Sequence, residues 1–144
     1  MDPKIIEIPE TWASRIGHGK MLVPTPLLVD KVIRKIRKGR LVTVNNIREK
    51  LAGDFGADTA CPLTTGIFLN IAANTAEEDK ASGKKIFSPY WRVIKNDGSL
   101  NPKFPGGIHQ QEEYLKREGF TIFKGKGKDV LKVKDFTHAL MKLE

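Results

Sequence analysis

The chain has 144 residues, 40% hydrophobic and 29% charged, a balance that fits one ordinary folded domain and excludes a disordered one. Its 25 lysines and arginines against 17 acids leave a net charge of +8, which favours polyanions: nucleic acid first, an anionic membrane surface second. No apolar run approaches the roughly 18 residues of a membrane span, and the charged start Met1-Asp2-Pro3-Lys4 leads into no apolar leader, so a cytoplasmic protein without membrane association is expected.

Cys61 stands alone, which excludes an intrachain disulfide and a paired-cysteine zinc or redox site. The acids at 77–79 and 112–113 have no partner at metal-ligand spacing. No metal and no cofactor are expected.

Prolines at 3, 9 and 24 and the run Gly17-His18-Gly19-Lys20 give residues 1–23 the look of an irregular lead-in, with one domain over 24–144. Thr25 followed by Pro26 predicts a sharp helix start, because threonine caps orphan N–H groups and proline has none to leave unpaired. Leu28, Val29, Val32, Ile33 and Ile36 then recur at helical spacing, and Gly39 supplies a left-handed stop. Lys31, Arg34, Lys35, Arg37, Lys38 and Arg40 take the remaining faces. Thr43 caps a second predicted helix over 44–51, closed by Gly53. A third begins at Pro62, with Leu63, Ile67, Phe68, Ile71 and Ala72 as its predicted buried stripe, and runs to Asp79. Two helices in quick succession, the second opening on Thr64, Thr65 and Gly66, describe a helix-turn-helix.

Past residue 85 the pattern changes. Asn96, Asp97 and Gly98 between apolar arms 91–95 and 99–100 predict a hairpin. Ile108, Gln111, Leu115 and Glu118 share one side of a helix that Gly119 ends. A second hairpin is predicted from 120–123 and 130–133 around a lysine-glycine loop at 124–128, and a last helix over 136–143. The fold class expected is mainly helical α+β: a winged helix-turn-helix with a small β-hairpin wing.

The segment Pro89-Tyr90-Trp91-Arg92-Val93-Ile94, then Asp97-Gly98-Ser99-Leu100, Pro105-Gly106-Gly107 and Glu118-Gly119, resembles the DNA-binding domain of alkylguanine–DNA alkyltransferases over roughly residues 25–120. In that family the signature reads Pro-Cys-His-Arg-Val, followed by a glycine turn, a Gly-Gly pair and Glu-Gly at a helix end. The resemblance implies a recognition helix in the minor groove, an arginine that replaces a flipped alkylguanine, and a cysteine that takes the alkyl group. A base must leave the stack before its exocyclic oxygen can meet a nucleophile, and the cysteine needs a basic partner to become thiolate.

This chain departs at each chemical position. Tyr90 stands for the acceptor cysteine, Trp91 for the histidine, Val44 for the tyrosine that presses on a phosphate, and Leu63 for the arginine finger. A phenol with a pKa near 10 is a poor substitute for a thiolate. Alkyltransferase-like proteins also lack the cysteine, carry tryptophan there, bind alkylated DNA and pass it to excision repair. The resemblance therefore implies a non-enzymatic protein that binds double-stranded DNA and senses alkylated or distorted duplex for repair, with a repair protein as a further partner; a monomer is expected.

The expected DNA contacts are Thr64, Thr65, Gly66 and Asn70 on the third helix, Lys31, Arg34 and Lys35 on the first, and Arg92. Tyr90, Trp91, Phe104, Gly106 and Gly107 are the expected base pocket. Each has a plainer reading: Tyr90 and Trp91 as core aromatics, Arg92 as a holder of backbone carbonyls, the cations as a solvated face. Two other functions stay open, a winged helix for general DNA or protein binding, and an enzyme with Cys61 as its nucleophile.

Overall fold

A computed structural model describes residues 2–144. The first helix read from the sequence is the second in the fold. Residues 4–23, expected to be irregular, form strand β1 (Lys4–Glu7), helix α1 (Glu10–Ile16) and strand β2 (Lys20–Val23). β1 runs antiparallel to β2, with Lys4 opposite Val23, and β2 runs parallel to β4 (Thr59–Ala60). β1 is four exposed residues between prolines at the sheet edge and carries no alternating strand signal, while β2 draws its second partner from residues 59–60. Trp12 and Ile16 pack with Ile8, Met21 and Cys61 in a small core of their own.

Helix α2 (Pro26–Arg34) starts as the sequence dictates, the Thr25 hydroxyl oxygen accepting the Leu28 N–H at 3.3 Å. It ends earlier than Gly39. The Ile36 N–H bonds the Ile33 carbonyl at 3.0 Å, tightening the last turn, and the Ile36 carbonyl accepts from Arg92 at 2.7 Å. Gly39, at φ +81°, then turns the chain into β3 (Val42–Thr43). Helix α3 (Val44–Phe55) opens on a reciprocal capping box between Thr43 and Asn46. It continues through Gly53 and stops at Gly56, whose left-handed conformation lets its N–H reach the Ala52 and Gly53 carbonyls.

Helix α4 (Pro62–Ala81) keeps Ala72 and the half-buried Phe68 of the predicted stripe in contact with the core and overturns the rest. Its buried residues are Thr65, Leu69, Ala72, Ala73 and Ala76, while Leu63, Ile67 and Ile71 are 60%, 47% and 45% exposed. Small side chains let α4 lie close against α2, where Val29, Val32 and Ile33 meet it in the main core. Hydrophobicity alone pointed to the isoleucine face; close helix packing selected the alanine face.

Tyr90–Arg92 form a 3₁₀ turn leading into β5 (Val93–Ile94), which pairs in parallel with β3. The Asn96-Asp97-Gly98 turn forms, the Lys95 N–H reaching the Ser99 carbonyl at 2.9 Å, but its arms do not zip into the expected hairpin. One arm joins β3; the other bridges from Ser99 to Lys132. Helix α5 (Gly107–Arg117) buries Ile108, Gln111 and Leu115. Strands β6 (Ile122–Lys124) and β7 (Leu131–Val133) form the expected second hairpin, in register Ile122 to Val133. The last helix is absent: residues Phe136–Ala139 make one 3₁₀ turn, and Leu140 then lies extended beside Leu41.

The whole is a mixed α+β fold of five α-helices and small sheets among the described residues. No helix of these residues is long and apolar enough to cross a membrane.

Candidate nucleic-acid interface

Tyr90 sits on the 3₁₀ turn that follows Ser88 and Pro89, and its side chain is 0% exposed. Its hydroxyl donates to Glu77 Oε2 at 2.6 Å, and the Tyr114 hydroxyl donates to the same oxygen at 2.8 Å. Lys80 Nζ in turn donates to the Tyr114 hydroxyl at 2.7 Å. Phe104 and Trp91 meet the Tyr90 ring edge-on at centroid distances of 5.2 and 5.5 Å. Burial, and then the bond to Glu77, push the Tyr90 phenol well above its ordinary value of 10.

The expected base pocket is therefore a packed aromatic cluster: Tyr90, Trp91 and Phe104 are all buried and fill one another's space. Gly106 and Gly107 contribute conformation instead. Gly106 opens α5 at φ +76°, where a Cβ would lie 2.6 Å from the Gln110 side chain. Gly107 has open space around its own Cβ position.

Arg92 is also placed otherwise than expected. Its Nε donates to both oxygens of Glu118 at 3.0 Å, and its Nη1 donates to the Ile36 carbonyl. Glu118 further accepts the Trp91 indole N–H at 2.6 Å and the Gly39 N–H at 3.0 Å. This one carboxylate ties the end of α5 to the end of α2 and to the 90–92 turn. The guanidinium holds the fold together and is not free for a phosphate. An indole nitrogen donates only, so Trp91 cannot take a proton from a nucleophile at position 90. Cys61, the other candidate nucleophile, is buried in the small N-terminal core.

The surface of α4 is built differently from the expected set. Thr65 points into the core with its hydroxyl unpartnered, and the Thr64 hydroxyl is covered as well, so neither reaches a groove or a phosphate. Gly66 and Asn70 are half-buried at the edge of the outer face, and Asn70 Oδ1 is covered and unpartnered like the Thr64 hydroxyl. With Leu63 and Ile67 they line one wall of a groove of about 310 Å³, closed on the other side by Lys95, Asn101, Pro102 and Lys103. Sequence reasoning missed Leu63, Ile67, Lys95 and Lys103. The available signal was the pair of lysines flanking the Asp97-Gly98 turn and the small-residue run Ala72, Ala73 and Ala76, which marks the face of close packing.

Lys31, Arg34 and Lys35 are exposed on α2 as expected, although Arg34 Nε is paired with Asp30 at 2.8 Å. Arg34 borders a separate groove with Lys85, Phe87 and Trp91.

Fold and surface together define a small basic α+β domain that presents one apolar helix face beside a lysine-rimmed groove, with its one cysteine buried elsewhere. Two solved structures share that fold. One is S. pombe ATL in complex with DNA, at TM-score 0.57 and 16% identity, covering 82% of this chain and 94% of that one. The other is the alkyltransferase-like protein Atl1 of S. pombe in complex with damaged DNA containing O6-carboxymethylguanine, at TM-score 0.56 and 18% identity with the same coverage. No family model matches the sequence, and no curated protein matches it.

Proposed function

We propose that this chain is a non-enzymatic, DNA-binding protein of the alkyltransferase-like kind, acting as a monomer that engages duplex DNA for repair. The observation that carries the reading is residue 90. In a fold shared with two protein–DNA complexes, Tyr90, which we take to stand at the alkyl-acceptor position, is a phenol sealed against Glu77, and its neighbour Trp91 has no ring nitrogen that accepts a proton. Such a site binds and does not transfer.

In this reading the fold is a winged helix, with α4 entering a groove and the β6–β7 hairpin as the wing. Leu63, Ile67 and Ile71 present apolar area in place of base-reading hydrogen bonds, so recognition is by groove shape and deformability. Apolar wedges of this type part base steps, and damaged or mispaired steps part at lower cost than sound ones. Lys95 and Lys103 at the groove rim, with Lys31 and Lys35 on α2, supply phosphate contacts.

A second reading, general duplex binding with no preference for a lesion, is favoured by the complete burial of Tyr90, which leaves no aromatic face open to an extruded base. A titration of alkylated against plain duplex at two salt concentrations separates the two. The lesion-sensing reading expects tighter binding to the alkylated duplex, with both affinities falling steeply as salt rises. Equal affinities leave general binding; no salt dependence removes DNA binding by either route.

A further inference from the structure

A second basic groove, distinct from the one beside α4, lies between the 95–99 turn and the β6–β7 hairpin. It encloses about 780 Å³ and is lined by Lys95, Lys124, Lys126 and Lys132, with Phe123, Gly125 and Val130 as its floor. Asp97 is its one acid, and that carboxylate is already engaged, accepting from Ser99 at 2.6 Å and lying 3.7 Å from Lys132.

The ladder explains how an aromatic ring comes to lie among these cations. Ser99 pairs with Lys132, and Lys132 pairs with Phe123, so the three stand in one row across the ribbon and share a face. Gly125, two residues on, keeps that face open: a Cβ there would crowd Val130 and Lys132 at 3.0 and 3.3 Å. Phe123 is 46% exposed on this face.

We propose that this groove binds a segment of single-stranded nucleic acid, one base stacking on Phe123 while the four lysines track the backbone phosphates. Exposed aromatic faces set in basic grooves are the general solution for unpaired strands. Paired bases offer such a ring no open face, because stacking neighbours cover both sides. Lys95 borders both this groove and the α4 groove, so the two cavities are neighbours. The inference goes beyond duplex binding and does not need it.

The test uses the full chain, a labelled oligothymidylate of about ten nucleotides and a blunt duplex, compared by fluorescence anisotropy. Phe123→Ala should weaken oligothymidylate binding about tenfold, well beyond any loss of duplex affinity. Phe123→Trp should keep binding and show quenched emission as the oligonucleotide is added, and Lys124→Glu with Lys126→Glu should abolish it. Failure of the wild-type chain to bind oligothymidylate, or equal binding by Phe123→Ala, overturns the proposal. So does an equal loss of single-strand and duplex binding in Phe123→Ala, which would make the groove part of the duplex face and leave the proposed function standing. Polyglutamate competing as well as oligothymidylate would assign the groove to acidic protein and also overturn it. Oligothymidylate binding without duplex binding would support this inference and remove the proposed function.

Discussion

The Tyr90 hydroxyl and Glu77 Oε2 lie 2.6 Å apart, joining the 3₁₀ turn to α4 about one turn before that helix ends. Residue 90 is thus a structural tie between two elements. Removing the hydroxyl in Tyr90→Phe leaves a buried carboxylate oxygen with one donor fewer, and an expected loss of about 1–3 kcal/mol in urea unfolding. Tyr90→Cys is expected to gain no alkyl adduct on incubation with O6-alkylguanine DNA, by intact-mass measurement, because Trp91 offers no base.

The same tie has a pH signature. The Tyr90 phenol is raised in the folded protein, so between the unfolded value near 10 and the folded one the native state holds a proton that the unfolded state releases. Its contribution is complete below pH about 10 and is lost as pH rises beyond it. Urea midpoints are expected to fall across this alkaline range in the wild type, and to fall less steeply in Tyr90→Phe.

Arg92 and Glu118 form an ion pair shielded by the ends of α2 and α5. Glu118→Ala strands the guanidinium and two donors besides, at an expected cost of about 3–5 kcal/mol by chemical unfolding. Arg92→Ala should also destabilise. Measured well below its melting temperature, it should leave the salt dependence of duplex binding unchanged, since Arg92 meets no phosphate.

On α4 the two faces are expected to answer oppositely. Thr65→Val removes a buried hydroxyl without a partner and should be neutral or stabilise by up to about 1 kcal/mol, with duplex affinity unchanged. Leu63→Glu is exposed, so the melting temperature should hold while duplex affinity falls at least about tenfold, by anisotropy.

Lys95→Gln and Lys103→Gln should each lower the slope of log affinity against log salt by about one, the signature of a single lost phosphate contact. Unchanged slopes would take both lysines out of the interface.

Much of the local architecture was legible in the chain itself. Thr25-Pro26, Thr43 and Pro62 fix three helix starts through capping chemistry that acts within four residues, and the 122–124 and 131–133 arms carry their own hairpin signal. The resemblance around residues 89–119 pointed to the fold that two DNA complexes share. The site was less legible. Lys31 and Lys35 are exposed as expected and Gly66 and Asn70 line the α4 groove, whereas polar atoms of Thr64, Thr65 and Asn70 are covered, Arg92 is held by Glu118, and the aromatic pocket is filled.

Sequence alone determined where α2, α3 and α4 begin, the cationic excess and the phenol and indole at positions 90 and 91, because each depends on residue identity or on neighbours along the chain. Tertiary structure decided which face of α4 is buried, where β1 and β5 find their partners, and whether residue 90 lines a cavity or fills one. Those outcomes depend on contacts between residues far apart in sequence: Ala73 against α2, Val93 beside Val42, Tyr90 on Glu77. Periodicity marks two possible faces on a helix, and only the neighbour that packs closest selects between them.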